Sequence, residues 1–136
     1  MKTWKALTIC QPYAHLIMAG EKLVENRTWP TRYRGPLVIH AGKSRAWLDS
    51  WDQPVPEDMP FGAVVGWVRL VDCVRLGGEL PEKLAWLREH EHASGPWCWV
   101  LADPHPAPKP LPYRGRQGLY EIPAADLQNL RQEARS

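Results

Sequence analysis

Fourteen prolines among 136 residues restrict this chain to short, frequently interrupted elements. Proline lacks the backbone N–H that a helix interior or a central strand needs, so elements tend to end near it. The segments between the prolines predict about six short strands and three or four short helices, without long helices alternating with strands. We therefore expect an α+β domain, a small mixed and partly closed β-barrel with short helices at its rim, and not a doubly wound sheet.

Apolar periodicity and turn residues place the elements along the chain. Predicted strands cover residues 5–10, 23–29, 37–39, 63–74, 96–101 and 118–122, and predicted helices cover 13–19, 81–90, 124–134 and, more weakly, 45–51. The longest apolar run, 63–74, predicts a central strand in which Gly66 marks a bend or a bulge. Residues 103–112 carry five prolines and are predicted to be an extended connection.

Length and composition favour one domain spanning residues 1–136, with a core at about 5–122 and a C-terminal helix at about 124–134. The net charge of +2 permits a nucleic-acid partner without requiring one. No apolar stretch is long enough to cross a membrane or to act as a signal peptide, so a cytoplasmic protein is expected. The three dispersed cysteines fit a reducing compartment and show no metal-ligand spacing; we expect no metal and no cofactor.

The predicted strand 23–29 is the most informative segment for function. Its alternation puts Glu25, Arg27 and Trp29 on one face, and Lys22 enters directly before it. The three charged groups could orient a ligand amide, activate a water molecule, or hold Arg27 in place. The alternative is an exposed ladder of ion pairs, which would contribute about 1 kcal/mol at most. Trp29 is either a core residue or a surface on which a base stacks.

Further candidates lie on both sides of this strand. Gln11 precedes the short helix 13–19 and could recognise the polar edge of a base. His40 and Lys43 follow the strand 37–39, where Lys43 could bind phosphate. His40 is either a structural histidine or an acid–base and ligand-binding residue.

Two Tyr-Arg-Gly loops contribute Arg34 and Arg114. An arginine next to an aromatic residue and a glycine can bind phosphate or stack on a base, although each could also be an ordinary solvated loop charge. His90 and His92 fall at the polar end of the predicted helix 81–90, where we expect them to be solvated.

The stretches QPYAHLIMAGEKLVENRTW and YRGPLVIHAGK resemble the ASCH (activating signal cointegrator homology) family, and FGAVVGWVRLVDC, GPWCWVLADP and RGRQGLYEI continue the pattern. The resemblance implies a PUA-like β-barrel related to RNA-binding domains. It also implies a cleft lined by a Gly-x-Lys-x-x-Glu-x-Arg element, which supplies Lys22, Glu25 and Arg27 here. Recognition of RNA, of a nucleotide or of a modified nucleoside is the function that follows, and a protein partner is a further possibility.

One branch of the family implies a different activity, the hydrolysis of acetylated cytidine. That branch relies on a Lys, a Thr three residues later and a distant Glu. Lys22 matches the Lys, whereas Glu25 replaces the Thr and Asp72 lies in the region of the distant acid. The alternative function is therefore a small hydrolase acting on a modified nucleoside or on single-stranded RNA, in which Lys22 and Glu25 would activate water.

Overall fold

The computed structural model describes residues 2–128. Six strands are present: β1 (Thr3–Ile9), β2 (Val24–Arg27), β3 (Gly35–Ala41), β4 (Ala63–Arg75), β5 (Trp97–Pro112) and β6 (Leu119–Pro123). One α-helix, α1 (Tyr13–Met18), follows β1, and two 3-10 helices cover Glu82–Arg88 and Ala124–Leu127. None of the helices in this part of the chain is long and apolar enough to cross a bilayer.

All six strands belong to one mixed sheet in the order β2-β5-β4-β3-β1-β6. Only β1 and β3 run parallel, and every other neighbouring pair is antiparallel. The predicted number of strands and the α+β class are therefore correct. The sheet is not closed into a barrel, because β2 and β6 are its two ends and no backbone ladder joins them within residues 2–128.

Helix α1 packs against β3, β4 and β5 on one side of the sheet and helps to bury the largest core cluster. Ala14, Leu16 and Ile17 are buried because the helix is apolar on most of its sides. A second cluster on the other side of the sheet is completed by Leu127 in the C-terminal 3-10 helix. A third lies under the 3-10 helix Glu82–Arg88.

The predicted central strand is confirmed as β4, and so is its irregularity at Gly66. The pairing register shifts there, and φ is +151°. A Cβ at this position would collide with the carbonyl oxygen of His105. Glycine is thus required at this point, where the backbone of β5 leaves no room for a Cβ on β4.

Three predictions of local structure are wrong. Within the predicted helix 81–90, Glu82–Arg88 is helical and forms a 3-10 helix, in which the buried Leu84 and Leu87 lie three residues apart and line up on one side. Residues 45–51 form successive turns and no helix. The proline-rich residues 103–112 belong to β5. The predicted C-terminal helix begins as a 3-10 helix at Ala124–Leu127, and its part beyond 128 lies outside the described residues.

Candidate functional site

The sheet curls until its end strand β2 faces β1, and a cleft of about 640 Å³ occupies the space between them. Nη2 of Arg27 donates across this space to the carbonyl oxygen of Thr8 at 3.0 Å. Trp29, Tyr13 and Lys43 also line the cleft. These residues come from β1, α1, the end of β2 and the loop after β3, so the curvature of the sheet builds the site.

Lys22, Glu25 and Arg27 form the close charge cluster that the sequence predicts. Nζ of Lys22 lies 3.2 Å from Oε1 of Glu25, and Nη2 of Arg27 lies 3.0 Å from Oε2 of the same carboxylate. Lys22 is 4% exposed and Glu25 9% exposed. The alternative of an exposed ion-pair ladder is therefore wrong, because the cluster is built into the wall of the cleft.

The hydrogen bonds within the cluster restrict its chemistry. Each oxygen of the Glu25 carboxylate faces a cation, and the ammonium of Lys22 also donates to the carbonyl oxygen of Val24. A general base needs an accessible lone pair directed at the proton that it removes. The observed contacts favour a fixed polar surface over a base that activates water.

His40 is 2% exposed and lies beside Thr8, its direct neighbour in the parallel β1–β3 pairing. Nε2 of His40 donates to the carbonyl oxygen of Tyr113 at 2.6 Å, since a carbonyl only accepts. Nδ1 lies 3.1 Å from the Thr8 hydroxyl, which lies 3.0 Å from the hydroxyl of Tyr120. His40 therefore holds the 113–117 loop against β1 and has both ring nitrogens occupied.

The 113–117 loop is fixed by several further contacts. A Cβ on Gly115 would lie 2.6 Å from Cε1 of His40 and 2.8 Å from the Thr8 hydroxyl oxygen. The Tyr113 hydroxyl donates to Asp126 at 2.7 Å, and this bond raises the pKa of Tyr113 to about 12. The loop is thus held in place while its arginine side chains remain exposed.

A second cavity of about 360 Å³ adjoins the cleft at this loop and is cationic. Lys43, Arg114 and Arg116 line it, and no carboxylate does. None of the three cations forms an ion pair with another residue of the described part of the chain. The cavity shares Thr8 and Lys43 with the main cleft, so the two lie next to each other.

The opposite end of the cleft leads into another cavity of about 360 Å³, between Tyr13, Trp47 and the 91–94 loop. Asn26 holds that loop: Nδ2 donates to the carbonyl oxygen of His92 at 2.8 Å. Its Oδ1 accepts the N–H groups of Ser94 and Gly95, both at 2.9 Å. Trp47 is 53% exposed and its ring lies 6.2 Å from that of Tyr13.

Beyond Trp47 the surface becomes acidic. A cavity of about 280 Å³ there is lined by Glu21, Asp52 and Glu91, and by no lysine or arginine. It shares Tyr13 and Trp47 with the preceding cavity. The cleft and its extensions therefore run from a cationic end, past aromatic rings and a paired charge cluster, to an acidic end.

The cleft and its cavities bring together most of the residues predicted from the sequence: Lys22, Glu25, Arg27, Trp29, His40, Lys43 and Arg114. Gln11 does not line them. It is fully buried, and its amide joins the carbonyl of Pro60 to the backbone N–H of His15. Arg34 lies elsewhere, in an exposed ion pair with Asp72 at 3.6 Å.

Sequence reasoning did not single out three contributors to the site. Tyr13 begins α1, Asn26 lies in β2 next to Glu25, and Trp47 lies in residues 45–51, for which the sequence predicts a short helix. The high tryptophan content was the only signal for Trp47, and it does not distinguish one tryptophan from another.

Two titratable groups beside the cluster have shifted pKa values. Burial, reinforced by the negative charge of Glu25, raises the pKa of the Cys10 thiol. Burial also lowers the pKa of His90, and the nearby His92 and Lys22 lower it further. The prediction that His90 is solvated is wrong, because its Nε2 accepts the N–H of Leu23 at 3.1 Å.

No cluster of histidine, cysteine or acidic side chains suited to hold a metal ion occurs within residues 2–128. The three cysteines are free thiols. The polar groups that the cleft offers are amine, guanidinium, carboxylate and amide groups next to aromatic rings, a set that suits a polar, flat and anionic ligand.

Two curated proteins are similar in sequence to this chain. The curated protein activating signal cointegrator 1 from Homo sapiens is 26% identical over 129 residues, which is 85% of this chain and 22% of the human protein. The Mus musculus protein of the same name is 36% identical over 81 residues, 50% of this chain and 14% of that protein. This chain thus spans about a fifth or less of the length of these relatives.

Solved structures show the same fold. The crystal structure of ASCH from Zymomonas mobilis superposes with a TM-score of 0.58 at 19% identity, covering 94% of this chain and 93% of that chain. A tyrosine-to-phenylalanine mutant of that protein gives 0.58 at 18% identity, with 96% and 98% coverage. The family model of the ASCH domain matches residues 7–111, which are most of the chain. The chain therefore belongs to the ASCH domain family.

Proposed function

We propose that the protein recognises single-stranded RNA, or a nucleotide or modified nucleoside derived from it, in the cleft between β1 and β2. The observation that carries this proposal is the order of groups along the cleft. Unpaired cations at one end lead to the aromatic rings of Trp29, Tyr13 and Trp47. Phosphates and bases are the two groups that such a sequence of side chains recognises. Membership of the ASCH family agrees with an RNA-related function at this level.

In this proposal, each part of the cleft contacts a different part of the ligand. Trp29 packs edge-on against Trp99 at 4.8 Å between ring centroids, which orients its ring beside the cleft. A base that stacks on it would gain about 1–3 kcal/mol. Lys43 and Arg114 would neutralise phosphate, and the paired cluster of Lys22, Glu25 and Arg27 would present a fixed polar edge to a base.

Hydrolysis of a modified nucleoside is the second candidate. It is favoured by the position of Lys22 and Glu25, which both line the cavity of about 360 Å³ near Tyr13, within the usual size of small-ligand sites. The occupied carboxylate of Glu25 weighs against it. Incubating the protein with acetylated cytidine, next to a Lys22→Ala variant, tests this candidate; turnover that Lys22→Ala abolishes would establish it.

Binding to a fluorescein-labelled single-stranded RNA, measured by anisotropy across a salt series, tests the first candidate. We expect affinity to fall with salt, because phosphate contacts release counterions. Trp29→Ala and Lys43→Ala should each weaken binding by about tenfold. Trp86→Ala and Arg34→Ala are matched controls, since both residues are exposed and neither lines the cleft. Affinity that is independent of salt and equal in all four variants would reject the proposal.

A further inference from the structure

We infer that the cleft binds the end of a single-stranded RNA, with a phosphate of the terminal nucleotide at the cationic cavity and its free hydroxyl end toward the acidic cavity. This inference rests on the proposed function. It adds the orientation of the RNA strand in the cleft and the place where the strand ends. It follows from the contrast between the cationic cavity and the acidic cavity at the two ends of this row of adjoining cavities.

The cationic end is preorganised to bind a phosphate. Lys43, Arg114 and Arg116 surround one cavity in which no carboxylate competes for them. The loop that carries the two arginines is already fixed, because His40 holds the carbonyl of Tyr113 at 2.6 Å. Little further ordering of the backbone is needed when an anion binds, so more of the interaction energy remains as affinity.

The acidic end has the opposite effect on a nucleic-acid backbone. Glu21, Asp52 and Glu91 line the last cavity, and no lysine or arginine lines it with them. Oε1 of Glu91 lies 3.5 Å from Nε2 of His92, whereas Glu21 and Asp52 form no ion pair within residues 2–128, so like charges would repel a phosphodiester placed there. An RNA strand that enters from the cationic end must therefore stop before this cavity.

The space between the two ends suits a terminal nucleoside. Tyr13 and Trp47 flank the cavity that precedes the acidic end, and their rings lie 6.2 Å apart at an angle of 59°. Lys22, also in that cavity, is 4% exposed and already contacts Glu25 and the carbonyl oxygen of Val24, so its ammonium is less accessible to a second phosphate than the exposed cations at the other end. A terminal nucleoside with a free hydroxyl can lie beside the two aromatic rings without placing a phosphate at the acidic cavity. A nucleoside that is followed by another phosphate cannot.

A comparison of linear and circular RNA tests the inference. A linear single-stranded RNA with hydroxyl groups at both ends is compared with a circular RNA of the same sequence, by competition against a labelled linear strand. We expect the circular RNA to bind about tenfold or more weakly, because every nucleotide in it is flanked by phosphates. Linear strands with a phosphate at the 3′ end or at the 5′ end identify which terminus is bound, since only the phosphate at the bound end should weaken binding.

Removing the acidic charges provides the matched variants. Asp52→Asn/Glu91→Gln should bring circular RNA close to the linear strand, while Glu57→Gln/Asp58→Asn, exposed acids outside the cavity, should preserve the difference. Circular RNA that binds as well as linear RNA to the unmodified protein would overturn this inference and leave the proposed function intact. If neither RNA binds, the proposed function fails, and the inference fails with it.

Discussion

Nη2 of Arg27 lies 3.0 Å from the carbonyl oxygen of Thr8, although β2 and β1 are separated by three strands in the order of the sheet. The same nitrogen lies 3.0 Å from Oε2 of Glu25. One guanidinium therefore joins the two sides of the cleft and also holds the carboxylate at its centre. Geometry of this kind makes Arg27 as much a structural residue as a binding residue.

Replacing Arg27 with methionine should lower the free energy of unfolding by about 1–3 kcal/mol, because a largely buried carboxylate and a backbone carbonyl lose a charged donor. Urea denaturation measures this loss. Arg34→Met is the control: its ion pair with Asp72 is exposed and should contribute about 1 kcal/mol or less. Equal losses in the two variants would contradict a joining role for Arg27.

Gly115→Ala should destabilise the protein by about 1–3 kcal/mol, since the new methyl group would overlap His40 and Thr8. The displaced loop should also carry Arg114 away from the cationic cavity and weaken RNA binding. Thermal denaturation and anisotropy measure the two effects. Gly77→Ala is the control: its Cβ would have no heavy atom within 4 Å, so it should change neither stability nor binding. If Gly115→Ala is as stable as the unmodified protein, the loop does not pack against His40 and Thr8 as closely as the structure shows.

Asn26 should hold the 91–94 loop in place through one hydrogen bond that it donates and two that it accepts. Asn26→Ala leaves the N–H groups of Ser94 and Gly95 without their acceptor, and should cost about 1–3 kcal/mol and speed their hydrogen exchange. Asn26→Asp keeps the acceptor but replaces the donor to His92 with an oxygen that the His92 carbonyl repels. Exchange of Ser94 and Gly95 should then stay slow. Fast exchange in both variants would show that the carboxylate does not replace the amide oxygen.

The sequence was sufficient to predict the charge cluster because it depends on local alternation. Lys22, Glu25 and Arg27 occupy or adjoin one short strand, so period-two spacing brings them together. Gln11 shows the limit of such reasoning. Its partner Pro60 is distant in sequence, and only the folded chain reveals that the Gln11 amide is already used.

The prolines of β5 were misassigned for a different physical reason. All five occupy even-numbered positions from 104 to 112, whereas the odd-numbered Tyr113 donates its N–H to Gly62, the residue that precedes β4. Alternation directs the missing N–H of Pro112 away from β4, and the β4–β5 register shifts between Val64 and Gly66 and between Trp67 and Arg69, beside the other prolines. The other side of β5 pairs with β2 only at residues 97–100. Proline is compatible with an edge of this kind. Proline content alone does not reveal which side of a strand is paired.

His90 should make stability depend on pH. Its Nε2 accepts the N–H of Leu23, which requires that nitrogen to be unprotonated, and burial with help from His92 and Lys22 lowers the pKa of His90. Because the folded protein then binds a proton less readily than the unfolded chain, the free energy of unfolding should fall as pH decreases below about 6.5 and level off below the folded pKa. Above that range both states are neutral, and this residue contributes no slope.

The substitution His90→Gln tests this dependence, since its side-chain oxygen can accept the same N–H and does not titrate. Urea denaturation at several values between about pH 7.5 and pH 5 should show a shallower decline for the variant than for the unmodified protein. Glu91 opposes the shift and stays in place in both proteins, so it does not account for a difference between them. Parallel pH profiles would show that protonation of His90 does not disturb the start of β2.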